Sequence, residues 1–180
     1  MRRIAVVSAL VLTGGLLGPS TALAAEEEHR WLAEEDHFAI VLPDGETFTD
    51  EDPAPPEEEI PPVGTRVFIS EVLYATEDGE TRGDEVGRTH IECTAQVVPV
   101  NFLCDVAFVF DSQSQLHGSV LVDFGTLEDP AEQLQFDISV TGGSGDFFGA
   151  TGVVSLTDIT DPDDPDAPTE TLYEADIRLP

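Results

Sequence analysis

From Arg66 onward the chain alternates between apolar and polar positions with a period of two. Within residues 133–141, Leu134, Phe136, Ile138 and Val140 are apolar, and Gln133, Gln135, Asp137 and Ser139 are polar. Successive side chains of a strand point to opposite faces, so this segment has one dry and one wet face. The dry face of 85–97 is Gly87, Thr89, Ile91, Cys93 and Ala95, and its wet face is Arg88, His90, Glu92 and Gln96. Phe102, Cys104, Val106, Phe108 and Phe110 form the next dry set, and Tyr173, Ala175, Ile177 and Leu179 the last. Segments 66–76, 85–97, 102–111, 116–126, 133–141, 151–160 and 171–179 are of strand length, rich in Val, Ile, Phe and Thr, with turn residues between them. The patch 38–42 adds an eighth. No stretch after Arg66 carries a 3.6-residue period, which predicts an all-β barrel or sandwich.

The run 140–152 joins two of these strands and holds five glycines around Phe147 and Phe148. Glycine reaches positive φ without steric cost, so this is a tight turn between strands. At least one of the two phenylalanines is expected to fold back and plug the end of the sheet. A phosphate-binding loop is the rival reading, but such loops lead into a helix. Here the following segment is β-branched, and the chain contains no lysine.

Ahead of the alternating region the pattern changes. Arg2 and Arg3, an apolar run from Ile4 to Leu17 and the sequence Ala22-Leu23-Ala24 read as a signal peptide over 1–24, cleaved near Ala24. The apolar run is shorter than the ~20 residues that span a bilayer. Residues 25–65 are acidic and proline-rich, with a short strand at 38–42 and a flexible linker over 50–62. Residues 66–180 form the barrel domain, and the expected location is secreted.

Charge narrows the partners. Seven basic residues stand against 37 acidic ones, and losing Arg2 and Arg3 leaves five, for a net charge near −32. Such a surface repels nucleic acid and anionic lipid, so neither is an expected partner. The acid run 161–166 offers oxygens for Ca²⁺, but its prolines hold it extended and it lacks the glycine and final glutamate of an EF-hand loop.

Cys93 and Cys104 fall on neighbouring strands and on the same face. A hairpin centred between Val98 and Pro99 sets them opposite each other, the register of a cross-strand disulfide. Export favours oxidation, and closing this loop stabilises by roughly 3 kcal/mol in the chain-entropy treatment. A metal pair or a nucleophilic thiol would need a histidine on that face, and none is near.

No cluster announces an enzyme class. His29 and His37 lie in the charged N-terminal segment, His90 and His117 alternate outward, and no H-x-H or H-E-x-x-H spacing occurs, so no metal is expected. There is no G-x-S-x-G elbow, and Ser144 has no evident base. Carboxylates abound, but nothing marks two of them as buried partners. The apolar interior is either a filled core or, open at one end, a pocket for a hydrophobic ligand. Ser70, Tyr74, Thr89 and Tyr173 are its candidate polar groups, or simply satisfied hydroxyls of a β-rich core.

The run T-G-G-S-G-D-F-F-G-A-T-G-V-V-S-L over 141–156, preceded by G-S-V-L-V at 118–122, resembles the signature turn of the allene oxide cyclase and dirigent-protein superfamily. The similarity extends from Val67 to Leu179. It implies an eight-stranded antiparallel β-barrel that works without cofactor as a homodimer or homotrimer. Members of that group hold a reactive apolar molecule, of oxylipin, phenolic or polyketide type, in one conformation for cyclisation or coupling. In the cyclases a glutamate acts within a Tyr-Glu-Ile-Asn-Glu type motif; the matching run is Val67-Phe68-Ile69-Ser70-Glu71. Phe68 then holds the catalytic position, Ser70 the asparagine position, and Glu71 points outward. Cys93 matches a pocket cysteine. With Phe108, these residues complete the candidate ligand pocket: Phe68, Ser70, Tyr74, Thr89, Phe108 and Tyr173. Three functions stay open: an isomerase-like or dirigent-like ligand-steering barrel, a packed structural module, and a calcium-dependent surface protein.

Overall fold

The longest strand is one that the alternation did not mark. In the computed structural model, which describes residues 25–50, 52, 61–98, 101–123, 134–162, 164 and 167–180, β1 spans Ala25–Val41, 17 residues. Its first part pairs with the last strand, Ala25 with Leu179 through Glu34 with Glu170. Its second part pairs with β3 (Arg66–Ala75), Trp31 with Ala75 through Val41 with Arg66. One strand thus grips both edges of the sheet and closes it.

The expected short strand at 38–42 is therefore the end of a full barrel stave, and His29 and His37 sit on that stave. The signal was hidden because the inward positions Glu27, His29 and Glu35 are polar, and because the register slips by one residue between Glu35 and His37. Such a bulge turns the hydrophobic set over to the other face.

After the three-residue β2 (Thr47–Thr49), which pairs only with β1, the chain runs round the barrel in order. The strands are β4 (Glu85–Ala95), β5 (Asn101–Phe110), β6 (Gln115–Asp123), β7 (Gln135–Ser144), β8 (Thr151–Asp158) and β9 (Glu170–Leu179). Each pairs antiparallel with the next and β9 returns to β1, giving a closed eight-stranded barrel with β2 as an appendage. Closure leaves few free edges, which suits a chain of short strands.

The dry faces meet in the interior. Tyr173, Phe108, Leu73, Leu116, Ile138, Ile177 and Val154 are fully buried there. Cys93 lies opposite Cys104 in the β4–β5 ladder and the two are joined as a disulfide. The glycine run is not only a turn: β7 continues through it to Ser144, and a 3₁₀ turn over Gly145–Phe147 follows. Gly145 has φ +62, and a Cβ on Gly143 would come within 2.5 Å of the Gln115 carbonyl oxygen. Phe147 folds back and is 7% exposed, its ring 5.1 Å from that of Phe110, whereas Phe148 is 74% exposed. Phe147 therefore plugs one end of the barrel. The expected signal peptide over 1–24 and most of the expected linker over 50–62 lie outside the described residues, as does part of the 161–166 run.

Candidate functional site

The other end of the barrel holds a cavity of about 140 Å³. Its walls are Ile69, Ile91, the Cys93–Cys104 bridge, Val106, Val122, Leu134, Phe136 and Leu156; Glu35, Glu71, Asp158, Thr169 and Thr171 supply the polar groups. Except for Leu134, which immediately precedes β7, the apolar walls are inward positions of strands β3 to β8. The carboxyl groups are what the alternation did not lead one to expect.

Glu71 is inward, not outward. Val67, Ile69, Glu71 and Leu73 share the inner face of β3, and Glu71 is only 3% exposed. Three hydroxyls meet it. Tyr173 Oη donates to Oε2 at 2.6 Å, Thr171 Oγ1 donates to Oε1 at 3.0 Å, and Thr89 Oγ1 also donates to Oε2. The ladder explains this convergence: Thr89 is the direct cross-strand partner of Glu71, while Thr171 and Tyr173 are successive inward residues of β9. A buried carboxylate is tolerable only when its lone pairs are met in this way. Burial, and next the charge of Glu71, push the Tyr173 phenol well above its usual value, so it stays a donor.

Glu35 lies directly across the β1–β3 ladder from Glu71. Its carboxyl is pushed up to about 7, first by burial and then by the negative charges of Asp50, Glu71 and Asp36. Near neutral pH it is shared between acid and base forms, the condition in which a carboxyl can give or take a proton.

The sequence candidates divide between the two faces. Thr89, Phe108 and Tyr173 are inside and fully buried. Phe108 packs edge-on against Tyr173, ring centroids 5.1 Å apart, in the filled layer beside the Glu71 cluster. Thr89 and Tyr173 reach the cavity through Glu71. Phe68, Ser70 and Tyr74 occupy the alternate positions of β3 and face outward. The resemblance placed Phe68 and Ser70 inside, and Tyr74 was a candidate polar group of the interior, but arginines cover the two aromatic rings on the outer face: Arg66 sits 4.6 Å from the Phe68 centroid and Arg82 4.4 Å from that of Tyr74.

Phe68 and Ser70 line a wide outer groove of about 870 Å³ with His37, His90, Glu92, Asp105 and His117. His37, Ser70, His90, Ala107 and His117 stand in one row across five strands. Among the described residues no three His, Cys, Asp or Glu side chains are grouped to hold a metal.

Glu35 and Glu71 are the site residues that reading the sequence missed. For Glu71 a signal existed, since it is the one polar residue in the alternate series Val67, Ile69, Glu71, Leu73. For Glu35 none did, because the bulge beside it breaks the pattern.

The comparisons agree with this architecture. A pterocarpan synthase dirigent protein shares 15% identity and superposes with a TM-score of 0.56, covering 96% of this chain and 98% of that one. A second such protein gives 14% and 0.57, covering 86% and 95%. A pyocyanin demethylase gives 19% and 0.53, covering 84% and 99%. At these identities the likeness is one of fold. No curated protein matches the chain. The profile of the family described as Dirigent-like protein matches residues 45–179, three quarters of the sequence. The closed eight-stranded barrel and its glycine-turn plug thus belong to a member of the dirigent-like protein family.

Proposed function

We propose that the protein is a cofactor-free barrel that admits a hydrophobic small molecule at its open end. There it fixes one conformation of that molecule for cyclisation or stereoselective coupling. The observation that carries this reading is an apolar cavity whose charged groups, among the described residues, are all carboxyls, one held rigid by three hydroxyls and one poised near neutrality. Holding a reactive chain in a near-attack geometry removes much of its entropic barrier, and Glu35 supplies proton transfer where the reaction needs it. A void of about 150 Å³ accommodates benzene. This cavity therefore takes one ring, or one end of a longer molecule, with the remainder at the mouth. In this reading the chain is exported, consistent with its leader-like first residues and its disulfide.

Native mass spectrometry of the protein from its secreting culture, followed by denaturation, tests the reading. Release of an apolar metabolite from the wild type, with less from an Ile91→Trp variant that fills the cavity, is the expected result. An empty protein that also fails to bind phenolic, oxylipin and polyene panels would overturn it. The second reading, a packed structural module, draws on the fully filled closed half of the barrel around Phe108, Leu116 and Tyr173. It expects that empty result.

A further inference from the structure

The charges of the molecule are sorted by face. The chain has no lysine and seven arginines, two of them in the first three residues. The other five lie outside the barrel and are all engaged: Arg30 with Glu174, Arg66 with Glu92, Arg82 with Glu34 and Glu170, Arg88 with Asp36, and Arg178 with Glu26. Among the described residues, no basic side chain lines the cavity. Among the described residues its carboxyl groups come from three strands, Glu35 on β1, Glu71 on β3 and Asp158 on β8.

The hydrogen bonds of Glu71 come from neutral hydroxyls. These meet its lone pairs but leave its charge uncancelled, and a buried charge without a counter-charge is the costly case. Three hydroxyls also leave part of a carboxylate's capacity of about four acceptor sites unused. Opposite it, Glu35 faces Asp36 on its own strand, Asp50 beyond β2 and Glu71 on β3, all acidic. Tyr173 on β9 brings only a phenol that stays protonated. Arg82 and Arg88 are engaged on the outer face, Arg82 with Glu34 and Glu170 and Arg88 with Asp36.

We infer that the cavity selects a ligand whose ring-sized apolar end carries a positive charge, an arylalkylammonium or an N-alkylated heteroaromatic cation. This rests on the ligand-binding reading above. The walls take the ring, and the charge supplies the counter-ion that the protein withholds from Glu35 and Glu71. A carboxylate-headed ligand of the same size meets only like charge, and a neutral ring gains burial alone.

Titration of the full protein with benzylammonium, benzyl alcohol and benzoate tests this, at about pH 8 in about 0.15 M salt to screen surface binding. Benzylammonium is expected to bind at least about tenfold more tightly than benzyl alcohol, and benzoate about tenfold more weakly than the alcohol. Lowering the pH through 7 protonates Glu35 and should shrink the cation preference, as should E35Q, a rim substitution compatible with folding. D105N, in the outer groove, should leave it intact. If benzyl alcohol binds as tightly as benzylammonium, cation selection is overturned and the pocket reading stands. If D105N and not E35Q abolishes the preference, the cation sits in the outer groove and the inference fails. If no probe of any charge binds, both readings fall.

Discussion

Glu35 and Glu71 face each other across the β1–β3 ladder, inside the barrel, with Glu71 held by three hydroxyls and Glu35 left to the field of its acidic neighbours. Cross-strand neighbours of like charge oppose one another. The two groups resolve the conflict differently, and most of what can be tested follows from that difference.

The first consequence is a pH dependence of stability. The folded-state pKa of Glu35, about 7, is above the ordinary glutamate value of 4.5, so between the two the folded protein holds a proton that the unfolded chain has released. Stability from this group is therefore full below the lower value and is lost as pH rises through the higher one. The side chain is only partly buried, so solvent screening reduces the effect to roughly 1 kcal/mol. Urea unfolding should show Glu35→Gln more stable than the wild type at pH 8 and indistinguishable from it at pH 4; equal stability at both would refute this.

The hydroxyl cluster should behave as a unit. Tyr173→Phe removes a donor to a buried carboxylate and should cost about 2 kcal/mol, and Thr89→Val a similar amount. Glu71→Leu removes the charge along with its need for donors. In double-mutant cycles, adding Tyr173→Phe to Glu71→Leu should cost much less than Tyr173→Phe alone. Additive losses would mean that the Tyr173 hydroxyl does not serve Glu71.

Reduction of the Cys93–Cys104 bridge, eleven residues apart in sequence, should lower stability by about 3 kcal/mol in the chain-entropy treatment. Denaturant midpoints with and without reductant measure this. A double Cys→Ala variant should match the reduced protein in direction and exceed it in size, because it also strips apolar wall from the cavity.

At the closed end, Phe147→Ala should cost about 3–4 kcal/mol by removing the ring that packs on Phe110. Phe148→Ala should change stability by less than about 0.5 kcal/mol, since its side chain faces solvent. Thermal or denaturant melts of the two variants distinguish the plug from its exposed neighbour. Equal costs would contradict the plug.

Legibility in the sequence followed the range of the interaction. The register of β4 on β5 could be read to the residue, and with it the Cys93–Cys104 pair, although the strand ends differ by one or two residues from those expected. A hairpin keeps one register along its length, so one centre places every partner. Phe147 was legible because glycines such as Gly145 admit a turn that few other residues allow. Strand β3 was read with its faces exchanged. The motif match put Phe68 and Ser70 inside and Glu71 outside, whereas Arg66 and Arg82 pack over the rings of Phe68 and Tyr74 on the outer face.

The sequence by itself determined the period of two, the dry faces of β4, β5, β7 and β9, the β4–β5 disulfide and the glycine turn, because these depend on neighbours along the chain or across one hairpin. Tertiary structure alone decided that residues 25–41 are the stave that closes the barrel and that Glu35 and Glu71 meet inside it. Both depend on pairings between distant segments and on one slipped residue at Asp36, where the side chains of β1 change faces. A carboxylate in a dry row costs more than the row returns until Thr89, Thr171 and Tyr173 arrive from other strands. That compensation exists only once the sheet has closed.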